Sequence, residues 1–247
     1  MEINEKRGLS SSNLHIIAMA LMLCDHMWAT VISGHEWLTA IGRLAFPIFA
    51  FMLAQGFRHT KSVGRYALRM FLFALVSEVP FDLMSGGTWF YPFHQNVMWT
   101  FLISLGCMEL ISLSRRTKKP VLIGLVTLLT ACAGWFVGRI AMVDYGGEGV
   151  LTVLMFYLLP GDALWQKVLQ VIIMAVINFR LLASYYVPVE IAGRVFDLPE
   201  QGLAVLALAF IWLYNGRRGN TSRPWQMFCY AFYPLHMLVL AGIMLNR

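Results

Sequence analysis

The sequence predicts an all-α fold: a polytopic integral membrane helix bundle of about nine transmembrane helices, with its N-terminus cytoplasmic. Three observations predict it. Of the 247 residues, 59% are hydrophobic and 13% charged, and the mean hydropathy is +0.66, whereas a soluble domain carries about 25% charged residues. The apolar residues gather in stretches, most of them near the ~20 residues that a bilayer core requires. The basic residues crowd the loops on one side of those stretches.

The stretches run over roughly 13–33, 37–57, 65–84, 95–113, 120–138, 147–160, 165–186, 200–214 and 225–245. The sixth and eighth are short, which suits helices tilted or buried within protein. Connections are brief and marked by Gly and Pro, as in Ser85-Gly86-Gly87 and Pro160-Gly161-Asp162. No internal repeat or low-complexity tract is visible, so the chain reads as a single domain, 1–247. The first stretch holds Asp25 and His26 and lacks a small-x-small cleavage site, and it reads as a span rather than a signal peptide.

Orientation follows from the cations. One side receives Lys6, Arg7, Arg58, Lys61, Arg65, Arg115, Arg116, Lys118, Lys119, Lys167, Arg217, Arg218 and Arg223. The other receives Arg139, Arg194 and Arg247, with Arg43 and Arg180 embedded nearby. The first side is expected to be cytoplasmic. The net charge of +6 therefore reports topology, and membrane lipid rather than nucleic acid is the expected partner. The cysteines Cys24, Cys107, Cys132 and Cys229 lie apart within apolar stretches, with neither CxxC nor zinc spacing, and read as small core residues.

Ionisable groups at membrane depth cost on the order of several kcal/mol unless paired or hydrated, so they mark function by default. Asp25 and His26 lie in the outer half of the first stretch, and Arg43 near the outer third of the second. Glu78 and Asp82 fall one turn apart in the third. His94, Asn96, Asp144, Tyr145, Glu148, Arg180 and His236 reach the same depth from other stretches. A polar chamber below the outer surface accounts for this single layer.

Imidazole titrates near neutrality, which makes His26 the leading general base. His15 precedes it by eleven residues, a spacing that returns to the same helix face about 16 Å lower. His15, Met19, Met22 and His26 thus form one stripe from the cytoplasmic end to the chamber. Asp25 points about 100° away from His26 and by depth would pair with Arg43. Glu78 has three open roles: orienting His26, binding an acceptor amine, or pairing with Arg43. Pro47 cannot donate to the Arg43 carbonyl and is expected to kink the second stretch there. Arg43, Pro47, Ala50 and Ala54 share a face of mostly small residues, suited to close helix approach. His236 reads equally as a core histidine or a functional one. Two basic clusters with exposed glycine backbone, Gly56-Phe57-Arg58-His59-Thr60-Lys61 followed by Arg65 and Arg69, and Tyr214-Asn215-Gly216-Arg217-Arg218-Gly219, suit phosphate groups or serve topology alone. The Arg115–Lys119 run is assigned to topology.

At these residues the chain resembles the TraX family of integral membrane proteins. The matching elements are Asp25-His26, Gly42-Arg43-Leu44-Ala45-Phe46-Pro47, Gly56-Phe57-Arg58-His59-Thr60, Tyr66-Ala67-Leu68-Arg69, Ser77-Glu78-Val79-Pro80-Phe81-Asp82, Asp144-Tyr145-Gly146, Tyr214-Asn215-Gly216 and Tyr233-Pro234-Leu235-His236. They cover nearly the whole chain. The family's namesake acetylates the N-terminal amine of conjugative pilin, so the resemblance implies a bacterial cytoplasmic-membrane acetyltransferase with acetyl-CoA as donor. A basic residue, ten intervening residues and a His is also similar to the pattern of other transmembrane acyltransferases, in which that His is taken as catalytic. Here His15 stands at the basic position.

The implied catalytic set is His26, Asp25, Glu78, Arg43 and His236. The implied donor-binding set is His15, Arg58, His59, Lys61, Arg69, Asn215, Arg217 and Arg218, and no metal is implied. In this reading His26, steadied by Asp25 or Glu78, deprotonates an amine or hydroxyl, and Arg43 or His236 stabilises the oxyanion. The acceptor is open among a protein N-terminus, a glycan and a peptide. Three rivals stand beside it: a proton-coupled transporter or exporter, an intramembrane metalloenzyme using His26, His94, His236 and Glu78, and an assembly subunit without chemistry.

Overall fold

The computed structural model describes residues 8–191 and 194–246. Lys6, Arg7 and Arg247, used above for orientation, lie outside the described residues. The predicted stretches are all helical over most of their length. They form α1 (Ser11–Thr30), α2 (Trp37–Gly42) with α3 (Ala45–His59), α4 (Val63–Gly86), α5 (Val97–Arg115), α6 (Pro120–Ile140), α7 (Gly146–Leu158), α8 (Leu164–Val176) continued by a π turn (Ile177–Leu181), a 3-10 turn (Glu200–Leu206) leading into α9 (Ala207–Trp212), and α10 (Arg223–Leu245).

The helix starts carry their own chemistry. Ser10, Ser62, Asn96 and Ser222 accept backbone N–H bonds at the N-termini of α1, α4, α5 and α10. Pro120 opens α6, where its missing N–H costs nothing. Gly87, at φ 64, closes α4 in the left-handed conformation.

The kink expected at Arg43 is a full break. α2 stops at Gly42 and α3 restarts at Ala45, with Pro47 in its first turn, where proline is tolerated. Pro80 and Pro234, by contrast, sit inside continuous helices.

α7 is the axis of the core. Val150, Val153, Leu154, Met155 and Phe156 are all buried, packed by Ile48, Leu53 and Ala54 of α3 and by Leu105, Met108 and Ile111 of α5. A second apolar cluster joins Phe81, Leu83 and Met84 of α4 to Tyr233, Met237, Leu240 and Ala241 of α10. The molecule is apolar outside as well as inside: Val121, Leu128, Val76 and Val239 are 84%, 62%, 62% and 61% exposed. An apolar exterior of this extent fits lipid as the solvent. Five segments, Trp37–His59, Val97–Arg115, Pro120–Ile140, Leu164–Leu181 and Arg223–Leu245, are long and apolar enough to cross a membrane. In α1 the polar residues His15, Asp25 and His26, and in α4 Arg65, Arg69, Glu78 and Asp82, dilute helices of 20 and 24 residues.

The sequence reading missed one element. The seventh stretch ends as helix at Leu181, and an antiparallel hairpin follows, β1 (Tyr186–Ile191) with β2 (Arg194–Pro199), in the register Tyr186↔Pro199 to Ile191↔Arg194. The run Tyr185-Tyr186-Val187-Pro188-Val189 carries the aromatic and β-branched composition of a strand, which the apolar count absorbed into a span. Arg180, expected in the embedded layer, is exposed.

The helix ends sort the cations. The start of α1, the end of α3, the starts of α4, α6, α8 and α10 and the end of α5 share one face, hereafter the basic face. There the segment before α1 is stitched to the loop after α9. Leu9 N–H donates to the Leu213 carbonyl at 2.7 Å, Asn215 N–H to Leu9 at 2.9 Å, and Ser11 N–H to Arg217 at 2.9 Å.

Candidate functional site

His26 sits one turn from the end of α1, and His236 lies in the second half of α10, 210 residues later. Their rings meet: His26 Nδ1 is 2.7 Å from His236 Nε2, with ring planes within 12° of each other. His236 Nδ1 in turn lies 2.7 Å from the Phe232 carbonyl oxygen. A carbonyl only accepts, so His236 Nδ1 carries its proton there, and a neutral His236 then presents Nε2 as a lone pair. His26 Nδ1 must donate to it, which leaves His26 Nε2 unprotonated. The hydrogen-bond chain therefore defines the tautomer of His26 and makes Nε2 the basic atom. His236 is thereby placed to orient His26, in the position the third member of a triad takes. That differs from the oxyanion role considered for it above.

Asp25 meets the partner expected for it, and a further acid joins the pair. Arg43 Nη2 lies 3.7 Å from Asp25 Oδ1, and Arg43 Nε lies 3.2 Å from Glu200 Oε1. Thr39 donates to Glu200 at 2.9 Å and accepts from Arg43 Nη2 at 2.6 Å. The break after Gly42 puts Arg43 at a helix end facing α1. Gly42 itself must be glycine, because a methyl there would overlap the Cβ of Asp25. Glu200 was not a candidate from sequence. The usable clue was a Glu200-Gln201 pair opening an apolar stretch. Both are buried.

Neither carboxylate weighed for steadying His26 touches it. Glu78 accepts from Trp99 Nε1 at 2.8 Å and from Asn96 Nδ2, and Asn96 also donates to the Ala74 carbonyl at 2.9 Å. The other Glu78 oxygen, Oε1, is buried with no hydrogen-bond partner among the described residues. Asp82 accepts from the Tyr91 N–H at 2.8 Å. Glu148 accepts from Arg139 at 2.7 Å and from Trp135 at 3.1 Å. These carboxylates take part in separate hydrogen-bond networks, and His94, expected among the embedded groups, stands in a loop, 47% exposed. Among the described residues no three His, Cys, Asp or Glu side chains converge in a metal-holding group.

In the loop before α5, His94 Nε2 lies 3.7 Å from Asp144 Oδ1. The polar contact with Asp144 raises the His94 pKa above its ordinary 6.5, against the opposing effect of burial. A raised pKa means that this contact stabilises the fold fully below about pH 6.5 and ceases to do so as pH climbs through the raised value. The thermal midpoint of the wild type should therefore fall as pH rises above about 6.5. Asp144→Asn should flatten that part of the profile, measured by thermal unfolding in detergent across pH.

A cavity of about 500 Å³ enters from the basic face between α1, α3, α4, α5 and α10. His59, Arg69, Arg218, Asn220 and Trp225 line its mouth. Met19, Met22, Met52, Met70 and Met98 line its throat, with Phe101 and Tyr233 among the deeper residues. Met22 and Phe232, both on its wall, are each one helical turn before His26 and His236. The cavity thus follows the predicted His15–Met19–Met22–His26 stripe and stops a turn short of the histidine pair.

The donor-binding candidates divide. His15, His59, Arg69 and Arg218 line this cavity, and Arg58 and Lys61 do not. One residue step turns Arg58 about 100° from His59, so it faces α7, where it donates to the Tyr157 and Phe156 carbonyls at 2.5 and 3.2 Å. Asn215 and Arg217 are also absent from the wall. Asn215 straps the loop, donating to the Gly8 carbonyl at 3.1 Å and accepting the Arg217 N–H at 3.0 Å. Sequence reasoning set Met19 and Met22 on the stripe but did not single out Trp225 or the other throat methionines, Met52, Met70 and Met98.

The fold and site define a polytopic helical membrane protein with a histidine pair one helical turn beyond the wall of a cavity entered from its basic face. The chain belongs to the TraX family: the family described as TraX protein matches it over residues 10–244. It is also similar to the probable fimbrial assembly protein FimC, serogroup H1, of Dichelobacter nodosus. The two are 25% identical over 247 residues, spanning 94% of this chain and 95% of that protein. No solved structure matches.

Proposed function

We propose that this chain is an integral membrane acetyltransferase of a bacterial cytoplasmic membrane, with nine crossings and a cytoplasmic N-terminus, that takes acetyl-CoA as donor. The observation that carries the reading is the cavity that climbs from the basic face to within one turn of a histidine whose free nitrogen is a base. The lining suits such a donor. Arg69, Arg218 and His59 at the mouth offer charge to phosphates, Trp225 offers a ring face to a base, and the methionine throat offers a pliable apolar wall to a slender arm.

The chemistry asked of the protein is modest. His26 Nε2 takes the proton from the acceptor amine or hydroxyl as that group attacks the thioester carbonyl, and the C–S bond breaks. The His26 proton then goes to the departing thiolate. His236 holds His26 in the required tautomer throughout. Arg43, tied to two carboxylates, holds α1 against the α2–α3 break rather than reaching substrate. The acceptor is taken to be a pilin or fimbrial subunit N-terminus, in keeping with the resemblance and with the name of the FimC relative.

Arg69→Gln with Arg218→Gln is expected to raise KM for acetyl-CoA by about tenfold or more, since removing a single charge-assisted hydrogen bond suffices for that, with a smaller change in kcat. The backbone of Arg218, which accepts the Ser12 hydroxyl at 3.0 Å, stays in place. Unchanged donor affinity would sink the donor assignment. Substrate flux in vesicles without thioester cleavage would replace the reading with an exporter.

A further inference from the structure

A second recess, about 710 Å³ and separate from the cavity above save for Thr60 on both walls, opens on the basic face between the ends of α3, α5 and α7. Arg58, Lys61, Arg115 and Arg116 line it, with Glu109 and Tyr157. Tyr157 and Leu158, at the end of α7, form part of its wall. That helix has 13 residues, which span about 20 Å at 1.5 Å per residue, against a hydrocarbon core of about 30 Å. α7 ends at Leu158 beside the ends of α3 and α5: Phe57 of α3 packs edge-on against Tyr157, ring centres 5.4 Å apart, and Arg115, the last residue of α5, lies over the same ring.

The charges in the recess are only partly compensated, by the Phe156 and Tyr157 carbonyls that accept from Arg58 and by Glu109 on the wall. Arg58 and Arg115 both lie over the Tyr157 ring, 5.7 and 5.0 Å from its centre. Among the described residues no ion pair within 4.0 Å involves any of the four cations, Glu109 notwithstanding. Control of topology needs cations in a loop. It does not need two guanidinium groups brought from different helices onto one ring, where the ring face and, for Arg58, the α7 carbonyls attract them while the repulsion between them persists, a repulsion that an anion bound beside them would relieve.

We propose that this recess binds the phosphate headgroup of an anionic membrane lipid. The recess lies where headgroups lie, at the end of a bundle of spans. Leu110 and Leu113 of α5, 55% and 41% exposed, flank it on the lipid side and give acyl chains an apolar wall, which a free phosphate would not use. Basic side chains next to a membrane span hold anionic lipid at about 1 kcal/mol each. The bound headgroup relieves the Arg58–Arg115 repulsion.

The test is native mass spectrometry of the purified full chain in detergent with phosphatidylglycerol or phosphatidylcholine. The variant is Lys61→Gln with Arg116→Gln, whose side chains make no hydrogen bond within the described residues; Lys61→Arg with Arg116→Lys is the charge-keeping control. Wild type and control should retain phosphatidylglycerol in preference to phosphatidylcholine. The neutral variant should bind it about 30-fold more weakly, which is about 1 kcal/mol for each charge removed. Equal retention by wild type and neutral variant, or no preference for the anionic lipid, would overturn the proposal. So would competition by millimolar inorganic phosphate, since that assigns the recess to a free anion. Acetyl-CoA kinetics do not enter these readings, so the outcome is independent of the donor assignment.

Discussion

His26→Ala is expected to lower release of free CoA from acetyl-CoA by about 10²- to 10⁴-fold, the range for loss of a positioned general base. The measurement is thiol release by purified protein, compared at saturating donor. His26 Nε2 is the relevant atom because the Phe232 carbonyl, His236 and His26 Nδ1 form one directed hydrogen-bond chain. His236→Gln should then give a smaller loss, in kcat rather than in KM for the donor, since His236 positions the base and does not line the cavity. Equal release by wild type and His26→Ala would remove His26 from the chemistry and leave the histidine pair a structural contact between α1 and α10.

Arg43→Ala should be the most destabilising single change in the charged layer, by about 3–5 kcal/mol, as expected when one partner of a buried ion pair is removed. It would leave Asp25 and Glu200, 19% and 9% exposed, without their shared counter-ion, and Thr39 without its donor. The check is thermal or denaturant unfolding in detergent. Glu200→Gln should cost less, because Arg43 keeps Asp25 and the amide still accepts from Thr39. Arg43→Lys should fall between, since a lysine keeps the charge but cannot reach Thr39 and two carboxylates with one rigid fork. If Arg43→Ala abolished turnover while leaving stability untouched, the residue would act on substrate and not on the fold.

Much of the architecture was legible in the chain. Nine apolar stretches became helices because burying backbone polar groups in hydrocarbon leaves the helix as the economical solution, and length and hydropathy are local properties. The Asp25–Arg43 pair was legible by depth, and the break at Arg43 by Pro47. The hairpin at 186–199 was not, because its strands carry the same apolar residues that a span does. Glu200 was hidden at the edge of a stretch, where an acid looks like a loop residue until the fold buries it.

The assignment of partners shows where sequence reading stops. A helical period tells which residues share a face of one helix, and it correctly set His15, Met19, Met22 and His26 in line. It says nothing about which face of a distant helix meets them. His26 and His236 touch across 210 residues, and the orientation of His26 belongs to His236 rather than to Asp25 or Glu78. The same limit separated His59 from Arg58: adjacent in sequence but about 100° apart around α3, they line a cavity and a separate recess.

By itself the sequence determined that this is a helical membrane protein, which end of the bundle gathers the cations, and which ionisable residues fall within or beside apolar stretches. These follow from composition, period and charge, each read within a window of some twenty residues. Tertiary structure alone decided which of those residues meet, which tautomer His26 holds, where the cavity ends, and that α7 ends beside a cluster of four cations. Contacts between helices are set by how whole faces pack, and packing is a property of the assembled bundle rather than of any one stretch.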